Sequence, residues 1–585
     1  MKRRLELFYE SFGDRGIMFI LYVFSVVVNS LLTWNMVLPT VYPDEIVVAG
    51  EAALFSGTAK WPVLTGISSS GYLQGLLYVP LYRLFNNQFA LYKTMLVVNA
   101  LLISFIPMII YHLASKLGVA RVHQKIIIAI SCGMYISYIA DSKYIWNETA
   151  AALICWLIIL SFFNTWDKSS RGSVILGSIM PGILCALGYA ACPRLLAIAA
   201  ALILTVFIAQ FVFHERIVNI LLFVISFVLA FLGEYLIRDM LNGRIKLAGF
   251  SPSYTSGFWS KIFSHLYAFT TTTLGMGALA AALTAVMLLK LIREGTRRKG
   301  ETPESNTKVY EPIKHTYSMR LTLFALFQLL AVLLTAVYSA LDGSGSGTAR
   351  LTDDLAPLAL FLVMVFIYLY GIDLKQTLIG IGIYGYLCIC FAIDGEPLNP
   401  ISGSLSGMLP FVFPAEGDSA DKMNYIMMSS CVFTMLALIV VYTSCSRRHR
   451  TLLVSVSVFA VIVFSTAYLG GYWLPNEAKA AEEELETFRK VSDMLYNDPL
   501  SPPIIVYETD PRLAGTIQFL APQTRVTIME KGGKAPEECL LIAENGSEVP
   551  FERGSYENVG RTDKYTVYAF GESARNFMRY SSSKT

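Results

Sequence analysis

Two adjacent carboxylates, Asp44 and Glu45, follow the first long apolar run of the sequence, which extends from Ile17 to Pro39. At the water edge of a bilayer, such a pair belongs to a solvated loop or to a site that uses its charge, because burying it in hydrocarbon is costly. Carboxylates in this place can take a proton from a hydroxyl nucleophile or hold a divalent cation. Asp44 and Glu45 are therefore the first candidate site residues.

Three basic residues lie in connections that should be poor in Lys and Arg if they face away from the cytoplasm. Lys93 opens the second apolar run, Arg194 occupies a short turn between two runs, and Arg350 precedes a later run. Each can snorkel to lipid headgroups, but three on one face favour an anion such as a lipid phosphate. Asp353 and Asp354 follow Arg350 and offer the alternative, a simple neutralisation of its charge.

A second group of charges lies in the short turn between the third and fourth apolar runs. Asp141 and Glu148 stand on either side of Lys143. A pairing of Asp141 with Lys143 would make both structural. Acids gathered above basic residues also indicate chemistry, since carboxylates accept protons and cations stabilise a departing phosphate.

Composition places these residues in a membrane protein. The chain of 585 residues is 55% hydrophobic and 15% charged, with a mean hydropathy of +0.53, whereas a soluble protein carries about 25% charged residues. The net charge of +3, without a block of Arg and Lys interleaved with aromatics, excludes nucleic acid as a partner. The cysteines show neither a disulfide framework nor zinc-ligand spacing.

The apolar runs that can cross a core of about 30 Å predict about thirteen transmembrane helices. Lys2, Arg3 and Arg4 before the first run place the amino terminus in the cytoplasm, and Lys and Arg recur in every connection predicted to be cytoplasmic. An odd number of spans places the carboxyl-terminal end outside. The predicted spans are approximately 17–39, 94–117, 125–141, 146–163, 172–190, 195–213, 217–236, 262–292, 318–341, 355–371, 376–394, 425–444 and 452–473.

The pattern therefore predicts a polytopic all-α membrane module over residues 1–474 and a small extracytoplasmic α/β domain over 475–585, serving as a lid or docking module. The first outer loop, 40–92, is too long for a plain connector. Within it, the spacing predicts two helices, Ile46–Phe55 and Leu76–Phe85, on either side of a Gly/Ser tract. In the tail it predicts helices at 478–495 and 512–520 and strands at 503–507, 525–529, 539–543 and 565–569.

The chain resembles the GT-C superfamily of membrane glycosyltransferases, especially the bacterial branch related to protein mannosyltransferases and the aminoarabinose transferase of lipid A. The motifs cover about the first 370 residues. The matching segments are Pro43-Asp44-Glu45 after the first span, Pro80-Leu81-Tyr82 with Lys93 at the end of the first loop, Lys143 and Glu148 in the second outer turn, Gly182 to Pro193-Arg194, and Ala349-Arg350 followed by Pro357. Two positions depart from the family: Val48 replaces an aromatic residue, and Leu351 replaces the Tyr after the late Arg.

The resemblance implies a GT-C fold in a bacterial plasma membrane and an inverting glycosyltransferase. The donor would be a polyprenyl-phosphate-linked sugar, and the acceptor a hydroxyl of an extracytoplasmic glycan, lipid or protein. Asp44 would be the general base or orient the acceptor, and Glu45 would support it or help hold Mg²⁺ or Mn²⁺. Lys93, Arg194 and Arg350 would bind the donor phosphate.

Three other functions remain open at this stage. One is a transporter or flippase of lipid-linked saccharides, which should place ionisable residues near mid-bilayer. Another is a glycan polymerase or ligase of the same superfamily. The third is an inactive relative that serves as a scaffold, against which the presence of Asp44, Lys93, Arg194 and Arg350 argues. The clustering of acids at the outer edge favours an enzyme over a transporter.

Overall fold

The structure is a computed structural model, in which the helices carry most of the fold. It describes residues 2–33, 43–57, 61–65, 67–85, 87–165, 171–214, 218–247, 257–299, 317–341, 354–394, 429, 431–440, 456, 459–460, 463–464, 466–495, 500–509, 511–530, 533, 536–549 and 556–582.

The described helices follow one another with short connections. Up to residue 241 they are α1 Lys2–Thr33, α2 Pro43–Ser56, α3 Leu73–Leu84, α4 Gln88–Ile103, α5 Phe105–Lys116, α6 Val122–Gly133, α7 Ile136–Asp141, α8 Glu148–Asn164, α9 Arg171–Ala191, α10 Leu195–Phe207 and α11 Ile220–Leu241. The later ones are α12 Phe258–Thr272, α13 Met276–Lys299, α14 Met319–Leu341, α15 Ala356–Leu369, α16 Leu374–Asp394, α17 Cys431–Val440, α18 Leu474–Asp493, α19 Pro511–Leu520 and α20 Glu572–Ser582.

Helix starts follow the local sequence. Asn87 begins α4 because its side-chain oxygen accepts hydrogen bonds from the backbone N–H groups of Phe89 and Ala90, which would otherwise have no partner in the helix. Asn219 caps α11 in the same way.

Eight of the described helices are long and apolar enough to cross a membrane, so the chain is a multi-pass membrane protein. Shorter apolar helices, including α6, α8, α15 and α17, occupy places where the sequence predicts further spans. The predicted number of thirteen stays a prediction, because the predicted spans 425–444 and 452–473 are only partly described. The eight are Phe12–Thr33, Gln88–Lys116, Val174–Ala191, Leu195–Val212, Ile220–Leu241, Met276–Glu294, Met319–Leu341 and Leu374–Ile393.

The membrane helices pack around α15, whose residues from Ala356 to Ile367 are all buried. A helix that is apolar on every side is stable only when neighbours surround it. Phe361 of α15 lies edge-on to Trp156 of α8, with ring centroids 5.7 Å apart, and to Phe324 of α14 at 5.4 Å. This packing sets the positions of the turns that precede α8 and α15, which carry charged residues of the candidate site.

The first outer loop folds as the sequence predicts, with α2 and α3 on either side of the Gly/Ser tract. A short 3₁₀ helix, Pro62–Thr65, lies between them. Strand β1, Ser68–Ser69, pairs in parallel with β2, Lys246–Leu247, and so ties this loop to the connection after α11.

The carboxyl-terminal region contains a five-stranded sheet in the order β4-β3-β5-β7-β6. Strands β4, β3 and β5 are parallel, whereas β7 runs antiparallel to both β5 and β6. The predicted strands and helices of this region are present, and β6 is an additional strand. The bounds are β3 Ile504–Tyr507, β4 Val526–Met529, β5 Cys539–Glu544, β6 Tyr556–Arg561 and β7 Tyr565–Phe570.

This sheet region and the first outer loop share one hydrophobic core. Phe519 of α19 lies edge-on to Tyr92 of α4, with ring centroids 6.5 Å apart. Gly515 of α19 faces Ile46 of α2 so closely that a Cβ at position 515 would lie 2.5 Å from Ile46 Cγ2. The carboxyl-terminal region is therefore packed directly on the helix that carries Asp44 and Glu45.

Candidate functional site

Glu45 lies in the first turn of α2 and is fully buried. Its Oε1 atom accepts a hydrogen bond of 2.9 Å from the Tyr92 hydroxyl and one of 3.0 Å from the backbone N–H of Ile145. Both donors are neutral, so they stabilise a carboxylate without cancelling its charge. Glu45 thus connects the start of α2 to α4 and to the turn between α7 and α8.

Asp44, the preceding residue, is half-buried. It also lies in the first turn of α2, where the partial positive charge of the helix amino terminus favours an ionised carboxylate. Solvent or a substrate can reach Asp44, whereas Glu45 is enclosed by its partners. The structure therefore distinguishes two carboxylates that the sequence shows as equivalent neighbours.

A chain of buried amide and hydroxyl groups holds α3 against α4 and α8. Gln74 Nε2 donates to the Tyr78 hydroxyl at 2.7 Å and to Asn99 Oδ1 at 2.8 Å. Asn99 Nδ2 donates to the carbonyl oxygen of Tyr144 at 2.7 Å, and Gln74 Oε1 accepts from the backbone N–H of Ala150 at 3.1 Å. Because these groups are fully buried and bonded, they hold the elements around Glu45 in one arrangement.

Arg194 lies buried in the turn between α9 and α10 and is bound by carboxylates from two distant segments. Its Nε and Nη2 atoms lie 3.0 Å and 2.9 Å from Asp354 Oδ2, and Nη1 lies 3.5 Å from Glu148 Oε1. Asp141 adds a further electrostatic interaction with Arg194. Burial raises the pKa of Asp354, and the charge of Arg194 opposes that rise.

Arg194 therefore brings together three of the predicted site residues' turns, those of α7–α8, α9–α10 and the start of α15. With Glu148 and Asp354 it forms a group of one cation and two carboxylates. A phosphate approaching Arg194 has to compete with these carboxylates. Asp354, considered from the sequence as a counter-ion of Arg350, is instead bonded to Arg194.

Lys143 is fully buried in the turn between α7 and α8. Its Nζ atom donates to the Asn29 carbonyl oxygen at 2.8 Å, to Asn29 Oδ1 at 3.3 Å and to Thr33 Oγ1 at 3.1 Å. All three acceptors are neutral atoms at the end of α1, and burial lowers the pKa of Lys143 to about 7. Lys143 thus anchors the second outer turn to the first span.

The other predicted site residues differ in what the structure shows of them. Lys93 is half-buried in α4, directly after Tyr92, which bonds Glu45. Arg350 and Asp353 lie outside the described residues, so their roles stay predictions.

Among the described residues, no three His, Cys, Asp or Glu side chains converge in a way that could hold a metal ion. Glu45 Oε1 already accepts two hydrogen bonds, which leaves half-buried Asp44 as the more accessible of the two predicted ligands. The predicted Mg²⁺ or Mn²⁺ site stays a prediction.

The structure also reveals polar partners that sequence reasoning missed. Asn29 and Thr33, which hold Lys143, are four residues apart in the first apolar run, a spacing that places them on one face of a helix. Glu51 is a single acid in an otherwise apolar helix and is fully buried. In each case the signal was a polar residue in an apolar stretch, but its partner could not be read from the sequence.

The helices and the appended sheet define a multi-pass membrane protein whose fold is similar to that of two solved structures. One is the crystal structure of ArnT from Cupriavidus metallidurans bound to undecaprenyl phosphate, at 11% identity and a TM-score of 0.53, covering 94% of this chain and 97% of that one. The other is the same protein in the apo state, at 12% identity and a TM-score of 0.54, covering 95% and 98%.

ArnT is a GT-C aminoarabinose transferase, so the resemblance predicted from the motifs is confirmed at the level of the fold. No protein-family model matches the sequence, and no curated protein matches it.

Proposed function

We propose that this protein is a membrane glycosyltransferase that transfers a sugar from a polyprenyl-phosphate-linked donor to an acceptor hydroxyl at the outer membrane face. The observation that carries the proposal is the division of labour at the start of α2. Glu45 is buried and bonded to Tyr92 and Ile145, while Asp44 beside it stays accessible. The fold supports the donor class, because the similar ArnT structure is bound to undecaprenyl phosphate.

In this mechanism Asp44 accepts the proton of the acceptor hydroxyl as its oxygen attacks the anomeric carbon. The bond between that carbon and the phosphate oxygen breaks, and polyprenyl phosphate leaves with the bonding electron pair. A single displacement inverts the anomeric configuration. Glu45 fixes the start of α2 and thereby the position of Asp44.

The departing phosphate gains negative charge, which cations stabilise. Lys93, one residue after the Glu45-bonding Tyr92, is the cation placed nearest to the start of α2 along the described polar contacts. Arg194 contributes when the phosphate competes successfully with Asp354 and Glu148. Arg350 is assigned the same role from its motif.

A divalent cation is the alternative way to stabilise the leaving phosphate. Mg²⁺ or Mn²⁺ would use oxygen ligands, for which Asp44 and Glu45 are the candidates. Polyprenyl phosphate release measured with EDTA, and with Mg²⁺ or Mn²⁺ restored, distinguishes the two versions. Loss with EDTA and recovery with metal would establish the metal; unchanged release would remove it.

The decisive experiment measures release of polyprenyl phosphate from a panel of polyprenyl-phosphate-linked sugars by the purified protein. Asp44→Asn keeps the size of the side chain but cannot accept the proton, and should lower turnover by about 10²- to 10⁴-fold. Asp563→Asn, an exposed Asp in the carboxyl-terminal region, is the matched control and should be unchanged.

Other outcomes assign the alternatives. No donor consumption by wild-type protein across the panel, together with movement of lipid-linked saccharide across liposome membranes, would replace the transferase by a flippase. Addition of whole glycan blocks to a glycan acceptor would identify a polymerase or ligase. Equal activity of Asp44→Asn and wild type would remove Asp44 from the mechanism.

A further inference from the structure

Glu51 is a buried acid in α2, seven residues after Asp44, that the mechanism above does not use. Its Oε1 atom lies 2.6 Å from the Ser69 hydroxyl, and its Oε2 atom has no hydrogen-bond partner among the described residues. Gly75 of α3 leaves room for this side chain, since a Cβ at position 75 would lie 2.6 Å from Glu51 Cβ. An ionised carboxylate so enclosed, with one oxygen unbonded, would be strongly destabilised.

The hydrogen count around Ser69 identifies the form of Glu51. The Ser69 hydroxyl oxygen lies 2.6 Å from Glu51 Oε1 and 2.7 Å from the carbonyl oxygen of Gly71. Both are acceptors if Glu51 is ionised, but a hydroxyl has only one hydrogen. If Glu51 carries a proton, it donates to Ser69, and Ser69 donates to Gly71, so that both short contacts become hydrogen bonds.

The electrostatic surroundings agree with a protonated Glu51. Burial raises the pKa of Glu51 to about 8, and the Ser69 hydroxyl opposes the rise. The titratable side chains on the buried face of α3 are Tyr78 and Tyr82, and both are uncharged at neutral pH. The half-buried Arg512 lies in α19, the other helix packed on α2.

The Ser69–Gly71 turn contacts the two segments that carry the charged residues of the site. Asn147 Nδ2 donates to the Gly71 carbonyl oxygen at 3.1 Å and to the Ser70 hydroxyl oxygen at 3.0 Å, and Asn147 directly precedes Glu148. A Cβ at position 71 would lie 2.0 Å from the carbonyl oxygen of Ala191, so only Gly fits there.

The same turn continues into a backbone hydrogen bond with the end of α9. The backbone N–H of Tyr72 donates to the carbonyl oxygen of Ala190 at 2.9 Å. Arg194 follows Ala191 by three residues in the chain. The turn therefore fixes the spacing between the segment of Glu148 and that of Arg194.

We propose that Glu51, in its neutral acid form, is a positioning residue that holds Glu148 and Arg194 in register through Ser69 and the Gly71 turn. This inference rests on the proposed transferase function and deepens it. Loss of the Glu51 proton leaves the Ser69 hydrogen with two competing acceptors and loosens the turn. The site should then lose activity at alkaline pH because its cation is misplaced, while Asp44 is untouched.

The test compares Glu51→Gln, Glu51→Ala and Ser69→Ala in the full-length protein by polyprenyl phosphate release between pH 6 and 9.5. Gln can donate to Ser69 as a neutral acid does and does not ionise. Glu51→Gln should keep activity within about twofold of wild type at pH 7 and retain it at pH 9, where wild type declines. Glu51→Ala should lose about tenfold or more, and Ser69→Ala should lose less.

Glu482→Gln, at an exposed site of α18, is the matched control and should follow the wild-type pH profile. A loss with Glu51→Gln at pH 7 as large as that with Glu51→Ala would overturn the inference, because it would show that the ionised carboxylate is needed. A Glu51→Gln profile with the same alkaline decline as wild type would overturn it too.

A second measurement does not depend on activity and separates this inference from the proposed function. The raised pKa of Glu51 means that the folded state holds a proton that the unfolded chain releases, so wild-type stability relative to Glu51→Gln should fall from about pH 5 to about pH 8 and be constant above. Thermal unfolding in detergent measures it. Parallel curves contradict a neutral Glu51, whereas inactivity of wild type on every donor contradicts only the transferase.

Discussion

Glu45 and Arg194 are both buried beside the turn between α7 and α8, yet they are stabilised by different kinds of partner. Glu45 accepts hydrogen bonds from the neutral Tyr92 hydroxyl and Ile145 N–H. Arg194 is bound by the charged Asp354 and Glu148. The first arrangement preserves a negative charge and the second more than cancels a positive one.

This difference separates two tasks that the sequence had grouped together. Neutral donors cannot be displaced by an anionic substrate, so the Glu45 cluster is suited to holding α2 and Asp44 in place throughout a reaction. Carboxylates around Arg194 compete with any phosphate for the same guanidinium. Arg194 therefore binds a phosphate only at the expense of an existing ion pair, which makes its contribution adjustable by its neighbours.

The largest effect on this comparison should come from Arg194→Ala. Removing the cation leaves Asp354 and Glu148 buried without their partner, which should lower the free energy of unfolding by about 3 to 5 kcal/mol. Thermal or denaturant unfolding in detergent measures the change. Arg579→Ala is the matched control, because its ion pair with Glu557 is exposed and should contribute about 0 to 1 kcal/mol. Equal effects of the two substitutions would refute the difference in burial.

The Lys143 anchor predicts a dependence on pH. Its pKa is lowered by burial to about 7, whereas an unfolded lysine stays protonated to about pH 10. The unfolded state therefore binds more protons above pH 7, and wild-type stability should rise relative to Lys143→Met by about 2 kcal/mol between pH 7 and pH 9. Lys564→Met, at an exposed turn, should show no such trend. A constant difference between wild type and Lys143→Met over that range would contradict it.

Tyr92→Phe should have a smaller effect because it removes one neutral donor and leaves Glu45 bonded to Ile145. We expect a loss of about 1 to 2 kcal/mol in the free energy of unfolding. The exposed Tyr235→Phe provides the baseline for removing a hydroxyl. Turnover by Tyr92→Phe should also fall, since the start of α2 is less firmly held. A loss as large as that of Arg194→Ala would show that the two clusters are equivalent.

The smallest expected effect sharpens the competition at Arg194. Asp354→Asn removes one of the negative charges while keeping the shape of the side chain, so Arg194 should bind polyprenyl phosphate more tightly. We expect a three- to tenfold gain in affinity, or about 1 kcal/mol, measured by inhibition of turnover by added polyprenyl phosphate. Asp563→Asn should leave the affinity unchanged. Unaltered or weaker inhibition with Asp354→Asn would show that Arg194 does not meet the phosphate.

The carboxyl-terminal region illustrates how far local patterns reach. Alternating apolar residues predicted β3, β4, β5 and β7, because strands with one packed face repeat every two residues. Strand β6, Tyr556–Arg561, contains Gly, Asn and charged residues and gave no such signal; it forms because β7 offers it a partner along six positions. Gly515 could not be connected to Ile46, since that contact joins positions more than 450 apart in the chain.

The sequence by itself determined the membrane character of the protein, the two helices of the first outer loop and the importance of Asp44, because hydropathy, periodicity and motif order are local properties of the chain. Only the tertiary structure decided that Glu45 is enclosed, that Arg194 is bound by Asp354 and Glu148, and that Glu51 meets Ser69. These partners come from segments separated by as many as 160 residues. Packing of distant helices creates the low-dielectric surroundings in which such groups must find each other.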